Sequence, residues 1–269
     1  MAAKERLDVL LVERGLTDSR EQARRLVMAG EVTANGQIVD KPGMRVSVDV
    51  ELALRAKPRF VSRGGDKLDA ALSAFSLNVE GRICADVGAS TGGFTDCLLK
   101  RNAAKVYAID VGYGQIDYRL RQDARVVVME QTNARYVENL PEPVSFVAID
   151  ASFISLRLLL PVVKNWLTAE AEIVPLIKPQ FEAGRQDVGK GGVVKSPEVH
   201  RRVLLEVLTA AQSMGFTVAG LIRSPLKGPA GNIEFLAWLQ YRRGAIPVLN
   251  DEDAQRLNTM ITEVLELPG

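Results

Sequence analysis

Cysteine, histidine and aromatic residues are scarce in this chain: 2 Cys, 1 His and 6% aromatics among 269 residues. Cys84 and Cys97 are too few for a disulfide framework and lack partners at zinc-ligand spacing, so both are expected as reduced core residues and no metal site is expected. Charge of one sign is missing too. Lysine and arginine number 34 against 33 aspartate and glutamate, which excludes bulk attraction to a polyanion; any nucleic-acid site has to be local. Nor is there an uninterrupted apolar run of membrane length, since the longest candidate, 153–163, carries Arg157 and Pro161. The start, Met-Ala-Ala-Lys-Glu-Arg, shows no apolar signal core, and a cytoplasmic protein without a membrane partner is the expectation. What is present is 47% hydrophobic residues, enough for one large domain and one small one.

The most informative stretch is Asp86-Val-Gly-Ala-Ser-Thr-Gly-Gly-Phe-Thr-Asp96. It follows the apolar run Ile83-Cys-Ala and reads as a strand, a glycine turn and a helix start. Such a turn lets a ligand approach the backbone and offers it unpaired N–H groups. The pattern is D-x-G-x-x-x-G-G, with Ser90 where a dinucleotide fingerprint needs its second glycine, so that match fails. Asp86 would repel a pyrophosphate but attract the ammonium and sulfonium of S-adenosylmethionine (SAM). At about 4 Å and an effective dielectric near 20, a charge pair is worth on the order of 4 kcal/mol, and its sign favours SAM. The cradle residues are Asp86, Gly88, Ser90, Thr91, Gly92, Gly93 and Phe94. About twenty residues on, Lys105-Val-Tyr-Ala-Ile-Asp110 reads as a strand ending in the carboxylate that would bind a ribose. Asn133, in Gln131-Thr-Asn-Ala-Arg135, could frame the adenine.

Ahead of the cradle, residues 4–14 have a helical pattern, and a second helix starts at Thr17-Asp18-Ser19 and ends at Gly30. Val32 to Val39 forms a strand pair about Asn35-Gly36, followed by a third strand through Val46 and Val48. Arg20-Glu-Gln-Ala-Arg24-Arg25, followed by Gly30-Glu-Val-Thr-Ala-Asn-Gly, resembles the S4 RNA-binding domain over residues 4 to about 54. The resemblance implies phosphate contact by Arg6, Arg20, Arg24 and Arg25. Residues 55–65, basic and broken by Pro58, read as a linker, with Arg63 a further RNA contact. Residues 66–269 form the second domain: a helix at 66–75, strands near 125–129, 144–149, 172–177, 217–222 and 233–241, and helices near 155–166, 197–214 and 251–265. Strand and helix alternating around a glycine cradle indicate an α/β, Rossmann-like, doubly wound and mostly parallel sheet, preceded by a small α+β domain.

Polar residues recur at the predicted element ends. Lys67 opens the helix before the cradle, Asp150 ends Val147-Ala-Ile-Asp, Lys178 ends Pro175-Leu-Ile-Lys, and Glu234 lies in Gly231-Asn-Ile-Glu. Strand ends in such a sheet face one crevice, so Asp150 and Lys178 should lie near the ligand. In order and context these four match the Lys-Asp-Lys-Glu tetrad of FtsJ/RrmJ-like ribose 2′-O-methyltransferases. With the S4-like head, the chain resembles the TlyA family, sometimes labelled hemolysin A. The resemblance implies methyl transfer from SAM to the 2′-hydroxyl of a cytidine in ribosomal RNA, of both subunits or the large one, with rRNA or ribosomal subunits as partners. Residues 55–58, Arg-Ala-Lys-Pro, depart from the aromatic-containing linker of some members.

The chemistry of the four residues points the same way. A ribose hydroxyl is a poor nucleophile and needs its proton accepted and its oxygen aligned with the methyl. Lys178, among apolar neighbours and near a second cation, is the candidate base. Asp150 would hold it, and Glu234 would orient Lys67 or the ribose. The glycine-rich basic stretch 182–195, with Lys190, reads as a mobile RNA-contacting lid. His200 has no catalytic part and is equally readable as a solvated or capping residue. Two alternatives stand beside the enzyme: an RNA-binding protein that has lost the chemistry, and a membrane-active hemolysin. The oligomeric state is open.

Overall fold

A computed structural model describes residues 3–54, 58–244 and 251–267. The chain divides into compact units at Pro58/Arg59. The first contains β1 (Lys4–Arg6), α1 (Leu7–Glu13), α2 (Arg20–Met28), β2 (Val32–Ala34), β3 (Gln37–Ile38), β4 (Arg45–Ser47) and β5 (Leu52–Leu54). Leu7, Leu10, Leu11, Ala23, Val27, Val32 and Val46 close its core. Lys4–Arg6, expected as the first helical turn, is instead a strand paired antiparallel with β4, and β5, absent from the sequence reading, pairs with β2. Partner strands distant in sequence decide both. Ser19 caps α2 by accepting from the Gln22 N–H at 3.2 Å.

The second unit contains α3 (Gly64–Ala74), β6 (Ile83–Val87), α4 (Gly93–Lys100), β7 (Lys105–Ile109), α5 (Tyr118–Arg121), β8 (Val126–Met129), β9 (Val144–Ile149), α6 (Leu156–Val163), β10 (Leu167–Ile177), α7 (Pro179–Glu182), α8 (Pro197–Ser213), β11 (Phe216–Arg223), β12 (Phe235–Arg242) and α9 (Asp251–Glu266). The stretch expected as a linker is divided: 55–57 lie outside the described residues, and 59–65 belong to this unit. Phe60 is buried against Leu68, and Gly64 and Gly65 already open α3.

Seven strands make one sheet in the order β11-β12-β10-β9-β6-β7-β8. All neighbours are parallel except β12, which runs antiparallel to both β10 and β11. Strand order reverses at β6: the chain moves to β7 and β8 on one side, then returns to β9 on the other. That reversal is the switch point where ligands of open α/β sheets bind. Alternation along the strands separates two apolar layers. Ala85, Val87, Val147 and Ile149 pack with α6, α8 and α9, while Cys84, Phe146 and Ala148 pack with α3 and α4. Both cysteines are free and buried.

Candidate active site

The Asp86–Asp96 stretch is the end of β6, a tight turn and the start of α4. Gly88 has φ +85°, and a Cβ there would stand 2.6 Å from the Asp150 carbonyl oxygen, so its glycine is demanded by the neighbouring strand end. Gly92, at φ +94°, is pressed against Leu120 in the same way. Closeness of packing rather than room for a ligand accounts for these two positions. Ser90, also at positive φ (+48°), turns its N–H onto Asp110 Oδ2 at 2.8 Å. Asp110 Oδ1 accepts from the Gly112 N–H at 2.6 Å, which fixes the carboxylate at the end of β7.

Asp86 sits differently from its expected place. It shares the β6 face of Cys84, behind the turn, where its Oδ2 accepts from the Thr95 N–H (2.8 Å) and hydroxyl (2.7 Å), holding the first turn of α4. Asp86 lines neither of the cavities described below. Its other oxygen is buried with no hydrogen-bond partner among the described residues. Burial, reinforced by the negative charges of Asp150 and Asp110 and opposed by Thr95, pushes the carboxyl up to about 7.

Two cavities open on the switch point. The smaller, about 300 Å³, lies over the ends of β6 and β7 and is lined by Asp110, Asn133, Gln115 and Thr132 with the apolar Ile109, Ala134, Ile154 and Leu159. The larger, about 1040 Å³, is lined by Lys67, Asp150, Lys178 and Glu234, together with the turn residues Thr91, Gly93 and Phe94 and the basic Arg63, Arg185 and Lys227. Gly88, Ser90, Asp150, Ser152 and Phe153 line both. The four residues taken from separate elements therefore meet at one wall, one step from the turn.

They meet as two ion pairs. Lys67 Nζ stands 2.5 Å from Glu234 Oε2, both buried, and Lys178 Nζ stands 2.7 Å from Asp150 Oδ1. Desolvation pushes the Asp150 carboxyl upward, while the ammonium groups of Lys178 and Lys67 pull it down. Gln180 extends the first pair by donating to Glu234 Oε1 at 3.4 Å. Lys178 also donates to Ser152 Oγ (2.9 Å) and to the Asp150 carbonyl (3.3 Å).

Ser152, Phe153 and Glu182 were not singled out in the sequence. Phe153 is 90% exposed at φ +63° and lies 4.8 Å, centroid to centroid, from Phe181. Glu182 is buried and ties the two strand-end loops together, accepting from Ser155 Oγ at 2.6 Å and the Leu156 N–H at 2.7 Å. The signal for Ser152 and Phe153 was their place directly after a strand-end carboxylate.

The glycine-rich stretch after Glu182 borders the large cavity through Arg185, Val188, Gly191 and Gly192. It is tied at both ends: Asp187 pairs with Arg202 at 2.6 Å, and Asn232 donates to the Gly192 carbonyl and accepts from the Val194 N–H, each at 2.9 Å. Lys190 is exposed. His200 is neither solvated nor a cap; it is buried edge-on against Phe235, with Nε2 3.1 Å from the Val194 carbonyl, and burial lowers its pKa.

In the first unit, Arg6 grips buried Asp8 through two hydrogen bonds of 3.0 Å, and Arg20 reaches the same carboxylate at 3.2 Å. The Arg6 guanidinium holds the Asp8 carboxyl down at about 2 against the upward push of burial. Arg24 and Arg25 are exposed on α2. Arg63, exposed, belongs to the second unit. Among the described residues, no helix is long and apolar enough to cross a membrane.

Comparison with known proteins identifies both units. The sequence model of FtsJ-like methyltransferases matches residues 60–241, and that of the S4 domain matches residues 5–52. A Bacillus subtilis protein provisionally named rRNA methyltransferase YqxC is 50% identical over 88% of this chain and 86% of its own. The 16S/23S rRNA (cytidine-2′-O)-methyltransferase TlyA of Mycobacterium tuberculosis is 48% identical over 89% of this chain and 91% of its own. A solved structure from Streptococcus thermophilus, provisionally named a hemolysin, superposes with a TM-score of 0.73 at 46% identity, covering 98% of this chain and 96% of the other.

Proposed function

Because the chain belongs to the FtsJ-like methyltransferase family and carries an S4 domain ahead of it, we propose that it methylates the ribose 2′-hydroxyl of a cytidine in ribosomal RNA, with SAM as donor. Its partner is rRNA or a ribosomal subunit and its place of work the cytoplasm. The TlyA relative, similar over nearly the whole of both chains, supports the rRNA and cytidine parts of this reading.

The small cavity suits SAM by the chemistry of its lining. A carboxylate, Asp110, fixed by the turn, an amide, Asn133, and apolar walls are what a purine nucleoside asks for. Asp110 would take the ribose hydroxyls and Asn133 the adenine edge, while the turn from Gly88 to Phe94 would take the amino-acid end. Asp86 supports that turn from behind by holding α4. When bound, SAM supplies an electrophilic methyl on sulfur.

The remaining work falls to the large cavity. Lys178 accepts the proton of the 2′-hydroxyl at Nζ, and Asp150 keeps that nitrogen at the joint of the two cavities. Lys67, held by Glu234, places a cation against the same wall and orients the ribose. Phe153 offers an aromatic face for stacking the target base. Arg24, Arg25, Arg63 and Lys190 are exposed cations suited to the phosphate backbone.

The observation that carries the reading is the pairing of Lys178 with Asp150 at 2.7 Å where the two cavities share Gly88 and Ser90. The test is incubation of purified protein with labelled SAM and separated ribosomal subunits, followed by mapping of ribose methyls. Label at a cytidine 2′-oxygen is the expected result. RNA binding without label would replace the enzyme by an RNA-binding protein that has lost the chemistry, and liposome leakage by RNA-free protein would favour a hemolysin.

A further inference from the structure

A lysine ammonium has three N–H groups and no acceptor. Those of Lys178 have three acceptors: Asp150 Oδ1 at 2.7 Å, Ser152 Oγ at 2.9 Å and the Asp150 carbonyl at 3.3 Å. To act as a base, the nitrogen must lose a proton and turn a lone pair toward one of these positions. The carboxylate and the carbonyl accept only, so a lone pair facing either is repelled. The serine hydroxyl alone can reverse from acceptor to donor. Ser152 is also exposed and lines both cavities, whereas the Lys178 nitrogen lies among its acceptors.

We propose that Ser152 is a catalytic relay between the target 2′-hydroxyl and Lys178. The inference rests on the reaction proposed above. In the step, the ribose O–H bond breaks and its proton passes to Ser152 Oγ, while the Ser152 proton passes to neutral Lys178. The freed oxygen pair forms the new O–CH₃ bond as the S–CH₃ bond breaks, with that electron pair staying on sulfur. Ser152 is left as it began, and Lys178 becomes the ammonium paired with Asp150, which returns its proton to solvent before the next turnover. The other charged groups on the large cavity's lining are Lys67, Glu234, Arg63, Arg185 and Lys227, and among the described residues it is Lys178 that hydrogen-bonds Ser152.

The test compares wild type, Ser152→Ala, Ser152→Thr and Lys178→Ala in single turnovers on ribosomal subunits, with SAM affinity measured by calorimetry. At saturating SAM and rRNA, Ser152→Ala is expected to lower the single-turnover rate by at least about 100-fold, and Ser152→Thr to restore most of it. In mixtures of H₂O and D₂O the wild-type rate should bow downward, because more than one proton moves together, and the residual rate of Ser152→Ala should fall on a straight line. A wild-type rate in Ser152→Ala where Lys178→Ala is inactive overturns the relay alone, as does a loss confined to KM or SAM affinity. A wild type that transfers no methyl to rRNA overturns the reaction and the relay with it.

Discussion

Lys67 and Glu234 are 167 positions apart in the chain and 2.5 Å apart in space, at 10% and 1% side-chain exposure. A buried pair of this kind is weak evidence of net stabilisation, because both charges were taken out of water, but breaking it strands one of them. Glu234→Ala should therefore destabilise the protein by about 3–5 kcal/mol, read from denaturant unfolding, whereas Lys67→Met with Glu234→Leu should recover most of that loss and still lack activity. Equal stability of Glu234→Ala and wild type would contradict the burial of the pair.

Lys178→Ala should reduce methyl transfer by about 100-fold or more while leaving the affinity for SAM within about 2-fold of wild type, since the side chain lines the large cavity and not the small one. Filter-retained label and calorimetry measure the two quantities. A variant that transfers normally removes Lys178 from the reaction.

Asp86 makes a pH prediction with a definite sign. Its carboxyl is raised by burial from 3.8 to about 7 in the folded protein, so the folded state holds the proton more tightly than the unfolded chain. Its contribution to stability is then full below about pH 4 and is lost as pH rises through about 7. Asp86→Asn keeps an acceptor for Thr95 and cannot ionise. Melting curves should show the variant gaining on wild type steadily between about pH 4 and 7, then running parallel to it above. A gap independent of pH would mean that Asp86 is ionised throughout.

For the first unit, α2 exposes Arg20, Arg24 and Arg25, and of these Arg20 shares Asp8 with Arg6. Replacing Arg24 or Arg25 by alanine should weaken rRNA binding and lower the slope of log affinity against log salt by about 1 each, without changing sequence preference. An unchanged slope would place both residues away from phosphate.

The sequence made the architecture readable where chemistry and periodicity coincide. Asp110, Asp150 and Lys178 each stand at the end of an apolar run, and the sheet rule alone brings such ends to one crevice. Asp86 lies behind the turn, and its own strand implies this: with a period of two it shares the face of Cys84, which packs under α4. Lys4–Arg6 read as helix because the pairing that makes it a strand comes from Arg45–Ser47, some forty positions away. Ser152 and Glu182 could not be assigned beforehand, because what they do depends on which loops lie side by side across β9 and β10.

The antiparallel strand β12 has a consequence for the order in which the molecule becomes competent. It is made nearly last, yet it inserts between β10 and β11 and brings Glu234 to a lysine made before the first strand of the same sheet. A chain still emerging at β11 can assemble the turn, Asp110 and the Lys178–Asp150 pair while Lys67 waits without its counter-ion. Closing that long loop is the kind of non-local step that slows folding. Glu234 thus reaches Lys67 only as β12 seats between β10 and β11, so the sheet and the second ion pair are completed in the same step.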